Sequence, residues 1–301
     1  MYDLIVVGGG LAGITATIYA VRRRLNVLLV SQVLGGKTNY RLQLPQGETP
    51  LQLEGSEIID HLKSEIGRLD FTHYKDYATR VSRHRDGFAV HTQEEATLLG
   101  KTVVIATGVK HQRMHVPGED KFLMRGLSYS ALRYAPHMVG KTAVIIGDGP
   151  LAVRAAVELA LTADHVHLVG PTGRELELPL GRKVVAAGNV TILEGYQALE
   201  MRGDDYARSV VVSAPDGQKT ELKSDVFFVE IAVIPNSQMV VGLVDLEPGG
   251  HIRIDERGRT NVPGICAAGD VTNTYMEQVL VAAGGGVKAT LSAYAYLLPG
   301  L

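Results

Sequence analysis

Two glycine clusters have the spacing to do chemistry: Gly8-Gly9-Gly10-Leu11-Ala12-Gly13 and Gly147-Asp148-Gly149-Pro150-Leu151-Ala152. Each follows a short apolar run, Leu4–Val7 in one case and Thr142–Ile146 in the other, and each opens an alanine-rich stretch of helical pattern. In such a turn the first glycine permits a tight reversal and the second lets the backbone approach a pyrophosphate. The third position lets helix and strand pack closely. The helix that starts there offers N–H groups and the positive end of its dipole to an anion. Gly8, Gly10 and Gly13, with Leu11 and Ala12 between them, fit this pattern. Gly147, Gly149 and Ala152 keep the close-approach geometry, but Pro150, beside Leu151, stands where an N–H would meet the pyrophosphate. That proline deletes a charge-assisted hydrogen bond, worth about 1.5–3 kcal/mol if nothing replaces it.

The elements that position these turns are legible around them. The first helix runs to about Arg24 and leads to the strand Val27–Val30; the second runs to about Thr162 and leads to His165–Val169. Strand, glycine turn, helix, strand, occurring twice, predicts two βαβ dinucleotide-binding units. Further strands are expected at Phe88–Thr92, Val103–Gly108, Val190–Leu193, Ser209–Ser213, Asp225–Val229, Ile252–Ile254 and Gly264–Asp270, with a helix from about Glu277 to Leu298. The turn clusters Val116–Asp120 and Pro235–Ser237 read as hinges. The expected fold is α/β, with two Rossmann-like three-layer domains, the second inserted into the first: residues 1–115 plus 237–301, and residues 116–236.

Composition excludes several other classes. A chain of 301 residues with 46% hydrophobic and 21% charged residues can fill two cores. Thirty Lys+Arg against 32 Asp+Glu leaves no global field for nucleic acid. Arg22-Arg23-Arg24 reads as a solvated helix end. No stretch of 18 apolar residues occurs, so no membrane span is expected. Met1–Val7 lacks a charged leader region and reads as a buried strand, which points to the cytoplasm. Cys266 is the only cysteine, so no disulfide can form within the chain. Cys266 reads as a small buried hydrophobe, and His165 and His167 read as structural rather than metal-binding, so no metal is expected.

Six motifs in order carry a resemblance. They are the first glycine turn, Leu34-Gly35-Gly36-Lys37, Ile105-Ala106-Thr107-Gly108, Val116-Pro117-Gly118-Glu119-Asp120, Ala267-Ala268-Gly269-Asp270-Val271, and Tyr275-Met276-Glu277-Gln278-Val279 leading to Ala282-Ala283-Gly284. Over essentially its whole length the chain resembles the low-molecular-weight thioredoxin reductases and the flavoprotein part of alkyl hydroperoxide reductase. The resemblance implies an FAD domain in residues 1–115 plus 237–301 and an NAD(P)-type domain in 116–236. It places the pyrophosphate on Gly8–Gly13, and Gly35, Gly36, Lys37, Ala106, Thr107 and Gly108 around the cofactor. It further implies that Gly269 and Asp270 hold the ribityl chain, and that the helix start at Gln278 and Val279 would face the flavin ring and favour its reduced form. The ribose position, usually acidic, carries Ser31 and Gln32, and a neutral amide bonds a ribose less strongly than a carboxylate does. A homodimer is also implied.

The chain departs from this family where its chemistry resides. In the register fixed by Gly126–Tyr129 and Gly140-Lys141, the two cysteine positions are Ser130 and Arg133, and the acid position is Tyr134. Neither a serine nor an arginine can relay electrons as a dithiol does. After the strand His165–Val169 come Gly170-Pro171-Thr172-Gly173, with only Arg174 and Glu175 nearby, in place of the carboxylate of an NAD site or the paired arginines of an NADP site. NAD(P)H binding therefore stays open. The residues leading to Leu301 also show no aromatic lid for the flavin. Three readings follow. One is a flavin oxidoreductase passing electrons from a pyridine nucleotide to a non-disulfide small-molecule or protein acceptor. The second is a flavoprotein whose second site takes another donor or a second flavin nucleotide. The third is a non-catalytic flavin-binding protein.

Overall fold

A strand covered on both faces needs an unbroken apolar run, and in the opening strand Tyr2–Val7 the residues Leu4 to Val7 are all buried. The computed structural model describes residues 1–45, 56–68, 72–274 and 276–300, apart from the side chains of 56–58. In it the opening strand pairs in parallel with Val27–Val30 on one side and Thr97–Ile105 on the other. His73–Tyr74 extends the sheet beyond Val27–Val30, and Ile265–Ala267 pairs with the far half of Thr97–Ile105. The near half of that long strand turns into an antiparallel meander with Gly87–Thr92 and Ala78–His84. Helices Leu11–Arg22 and Val279–Leu297 cover one face, burying Ile14, Ile18, Ala289 and Ala293 against Leu4, Val6 and Val104. Their axes come close because Gly286 has no side chain: a Cβ there would stand 2.1 Å from Ala12 O.

The second unit repeats the plan. Val190–Leu193, His165–Val169, Thr142–Ile146, Val226–Val229 and Leu127–Ser128 form a five-stranded parallel sheet in that order. Alternation decides the layers. Ala143, Ile145, Val166 and Leu168 face the helices Ala131–Tyr134, Pro150–Ala160 and Pro179–Ala186, whereas Val144, Ile146 and Val169 pack with Val210 and Val212 of the meander formed by Gln197–Gly203, Ala207–Ser213 and Lys219–Lys223. The result is an α/β molecule of two Rossmann-like domains. Among the described residues no helix is long and apolar enough to cross a membrane, and no group of three or more His, Cys, Asp or Glu side chains could hold a metal ion.

One unit comprises Met1–Asn39, Gly55–Lys110 and Ile234–Leu301, the other Tyr40–Glu54 and His111–Val233. These bounds differ from those expected. Val116–Asp120 lies inside the second unit, where the buried Glu119 carboxylate accepts the N–H groups of Met114 and His115 and the Tyr129 hydroxyl. Pro235–Ser237 lies inside the first, where Asn236 exchanges hydrogen bonds with Thr107 and Gly108. Leu42 and Leu44 join the second unit because their side chains are buried with Tyr134 and Val153. The strand expected at Ile252–Ile254 is absent: Ile252 makes isolated bridges only, and a turn at Asp255, fastened by Arg259, follows at once.

Candidate functional site

Backbone crowding builds the first glycine turn. Gly8 has φ +113°, and a Cβ on it would stand 2.4 Å from Ala106 O; one on Gly13 would stand 1.7 Å from Gly8 O. Neither position tolerates a side chain. Gly10 differs, since a Cβ there would meet nothing within 4 Å. It is the N-cap of helix Leu11–Arg22 and supplies no side-chain cap, so the N–H groups of the first turn, at Leu11 and Ala12, have no cap from its side chain. An open cradle at a bare helix N-terminus fits a pyrophosphate.

Around this turn the expected residues take definite places. Ser31 is buried, and its Oγ lies 3.1 Å from Nε2 of His73, which also lies 2.9 Å from Ser31 O. Gln32 is exposed. Gly35 and Gly36 both have positive φ and lead into the short turn Gly36–Asn39. Lys37 in that turn stands 2.6 Å from Asp270 and 2.6 Å from Glu277. Burial by itself would lower the Lys37 pKa, but the two carboxylates outweigh it and hold the group above its ordinary value. Asp270 follows strand Ile265–Ala267 through Gly269, at φ +76°. Ala106 continues the parallel pairing through its N–H to Val7 O, Thr107 bonds to Asn236, and Gly108 opens to free space with φ +66°. Gln278 is the N-cap of helix Val279–Leu297, again with no side-chain cap. Tyr275 lies outside the described residues.

The second turn shares the crowding of the first, although Gly147 lacks the positive φ of Gly8. A Cβ on Gly147 would stand 2.3 Å from Glu230 O and 2.9 Å from the Ala152 side chain, whereas Gly149 is open. Gly149 is the N-cap of Pro150–Ala160, with Pro150 in the first turn and Leu151 half-buried behind it. Arg174 is exposed, on the short helix Gly173–Glu177. A Cβ on Gly173 would stand 2.9 Å from Oε1 of Glu194, so a carboxylate from the next strand's end approaches this loop.

At the expected dithiol positions Ser130 and Arg133 are half-buried, whereas Ala131 and Tyr134 beside them belong to the hydrophobic core. Ser130 is the N-cap of helix Ala131–Tyr134, and the Ala131 N–H is taken by the Glu230 carboxylate at 2.6 Å. Tyr134, at the acid position, is only 1% exposed, and its hydroxyl accepts the Leu42 N–H. The Arg133 guanidinium lies over the Tyr134 ring, with its centre 5.8 Å from the centroid, and burial pulls its pKa below the usual value. Cys266 is buried in its strand, and burial pushes its thiol up to about 12.

Sequence reasoning missed His73, Glu277, Glu230 and Glu194. Glu277 acts across 240 residues of chain from Lys37, and Glu230 reaches a main-chain N–H 99 residues away. No periodicity signals such partners.

The family model described as pyridine nucleotide-disulphide oxidoreductase matches residues 2–286. An alkyl hydroperoxide reductase protein of Staphylococcus epidermidis is 31% identical over 300 residues, which are 99% of this chain and 59% of that protein. A Bacillus subtilis protein named NADH dehydrogenase is 29% identical with the same coverage. The chain thus spans about three fifths of the length of these curated relatives. Among solved structures, thioredoxin reductase from Streptococcus pyogenes is 28% identical with a TM-score of 0.86, covering 99% of both chains. With that extent of match in sequence and in fold, the chain belongs to the pyridine nucleotide-disulphide oxidoreductase family.

Proposed function

We propose that the protein is an FAD-containing oxidoreductase that passes electrons from a pyridine nucleotide to an acceptor other than a disulfide. The observation that carries this reading is the first glycine turn. Gly8 and Gly13 are closed by backbone, Gly10 is open at a bare helix N-terminus, and Asp270 stands in the same unit. Gly8, Gly10, Leu11, Ala12 and Gly13 would hold the pyrophosphate, and Asp270 the polyol chain. Bound there, FAD supplies the two-electron chemistry that no side chain of this protein offers. The relatives named alkyl hydroperoxide reductase and NADH dehydrogenase support an electron-transfer role. The buried Tyr134 and the lone Cys266 speak against a dithiol relay within this chain.

Anaerobic mixing of the purified protein with NADH or NADPH tests the proposal. Fast bleaching of the flavin absorbance is the expected result. Reduction by dithionite but by neither nucleotide overturns the donor assignment, and absence of bound FAD overturns the whole reading. Thioredoxin and small disulfides should not be reduced.

A second reading, in which the second unit takes another donor or a second flavin nucleotide, is favoured by Pro150 at the helix start and by Gly170-Pro171 at the strand end. A flavin-to-chain ratio near two in the purified protein would select it. By resemblance we also read the protein as a homodimer, which sedimentation at twice the chain mass would establish. The single buried cysteine suits a reducing compartment, and we read the setting as cytoplasmic.

A further inference from the structure

Three separate parts of the first unit meet at one ammonium group. Lys37 lies on the short turn Gly36–Asn39, Asp270 follows strand Ile265–Ala267, and Glu277 precedes helix Val279–Leu297. Lys37 Nζ is 2.6 Å from Asp270 Oδ2 and 2.6 Å from Glu277 Oε2, and the three side chains are 30%, 12% and 31% exposed. A solvated ion pair contributes little, but this lysine is partly withdrawn from water and has two partners at charge-assisted distances. It also holds the two nearest carboxylate oxygens within about 5 Å of each other, a range in which like charges oppose one another's ionisation. Without the ammonium, the same geometry turns from attractive to repulsive.

Resting on the flavoprotein reading above, we propose that Lys37 is a positioning residue. It is an electrostatic latch that holds Asp270 and the start of helix Val279–Leu297 where the polyol chain and ring of FAD need them, with Glu277 as its second anchor. The latch acts through the two carboxylates and does not require Lys37 to touch the cofactor. Asp270 alone is tied to the sheet through Gly269. The helix start has Gln278 as an N-cap without a side-chain cap bond, so Glu277 is the charged group through which the helix is drawn to the turn.

The test uses the full chain as wild type, Lys37→Gln, Lys37→Arg and the double variant Lys37→Gln/Glu277→Gln. The readouts are FAD titration of the apoprotein and amide hydrogen exchange of Gln278–Ala282 in the apoprotein. Lys37→Gln should bind FAD about tenfold more weakly and exchange faster at the helix start. Lys37→Arg should stay near wild type, and the double variant, relieved of the repulsion but still without the ammonium, should fall between Lys37→Gln and wild type. A double variant no better than Lys37→Gln overturns the latch, as does a Lys37→Gln protein that matches wild type in both readouts. If wild type binds no FAD, the flavoprotein reading fails by itself. The exchange data then still decide the latch, and unchanged exchange in Lys37→Gln overturns it.

Discussion

The two glycine turns are crowded alike by the neighbouring strand and differ in the residues that surround them. Each follows the third strand of the same parallel order, and in each the first glycine presses on a carbonyl at the end of the neighbouring strand, Ala106 O in one and Glu230 O in the other. Each leaves its N-cap glycine, Gly10 or Gly149, open. Beyond that the units diverge. One helix begins with Leu11, which has an N–H, and the other with Pro150, which has none. In the first unit the outer strand Ile265–Ala267 delivers Gly269 and Asp270. In the second that place is taken by Leu127–Ser128, which delivers Ser130, Arg133 and Tyr134. Backbone crowding maintains the turn, while a few side chains at strand ends decide what the turn can hold.

The largest expected effect separates the two turns directly. A Cβ on Gly10 meets nothing within 4 Å, so in Gly10→Leu the fold should survive while the pyrophosphate is shut out. Such a protein should purify colourless, with FAD affinity down at least about a hundredfold, since several charge-assisted bonds are lost together. Gly149→Leu, its counterpart, should purify yellow. Full flavin content in Gly10→Leu would break the assignment of the first turn.

A second contrast lies at the outer strands. Tyr134 fills the core of the second unit, so Tyr134→Ala should destabilise that unit by about 3–5 kcal/mol. Tyr134→Phe, which removes the acceptor of the Leu42 N–H and the donor to Tyr40 O, should cost about 1–2 kcal/mol. Denaturant melts measure both. Equal, small losses would show that Tyr134 is not a packing residue. On the other outer strand, Asp270→Ala should weaken FAD by about 1.5–3 kcal/mol with little change in the melt, read by titration of the apoprotein.

The contrast also shows what a sequence exposes. Both βαβ units are readable, because Leu4–Val7 and Thr142–Ile146 are unbroken apolar runs and the glycines recur at fixed offsets. That no pair of cysteines exists is equally plain, since Cys266 is the only one in the sequence. Domain limits are less legible: Val116–Asp120 has turn composition, yet Glu119 is buried inside the second unit by bonds to two N–H groups and a tyrosine. Ile252–Ile254 has strand composition, but its backbone finds no ladder to join. In the site, nothing in the sequence ranks Ser31 above Gln32. Only the structure shows Ser31 buried against His73 and Gln32 facing solvent. Pairings such as Lys37 with Glu277 depend on where distant parts of the chain fold, and local composition carries no trace of them.

The smallest expected effect concerns the second turn. Pro150 occupies the first turn of its helix, a position where proline suits the backbone and where an N–H would have no partner within the helix. Pro150→Ala should therefore leave stability nearly unchanged, while it restores one donor facing the open side of Gly149. If a pyridine nucleotide binds there, its affinity should rise by about tenfold, the worth of one charge-assisted bond partly offset by lost water. Glu194 adds a finer arm. Its carboxylate approaches the Gly173 loop, where a ribose phosphate would be repelled, so NADH should bind better than NADPH in wild type. Glu194 is exposed, so Glu194→Gln should narrow that preference only a few-fold, by less than about 1 kcal/mol. Calorimetric titration with both nucleotides reads each arm. Tighter binding in Pro150→Ala would identify the missing N–H as what sets the second turn apart from the first. Unchanged binding of both nucleotides would move the difference to the strand end at Gly170 and Pro171, where no single donor can restore it.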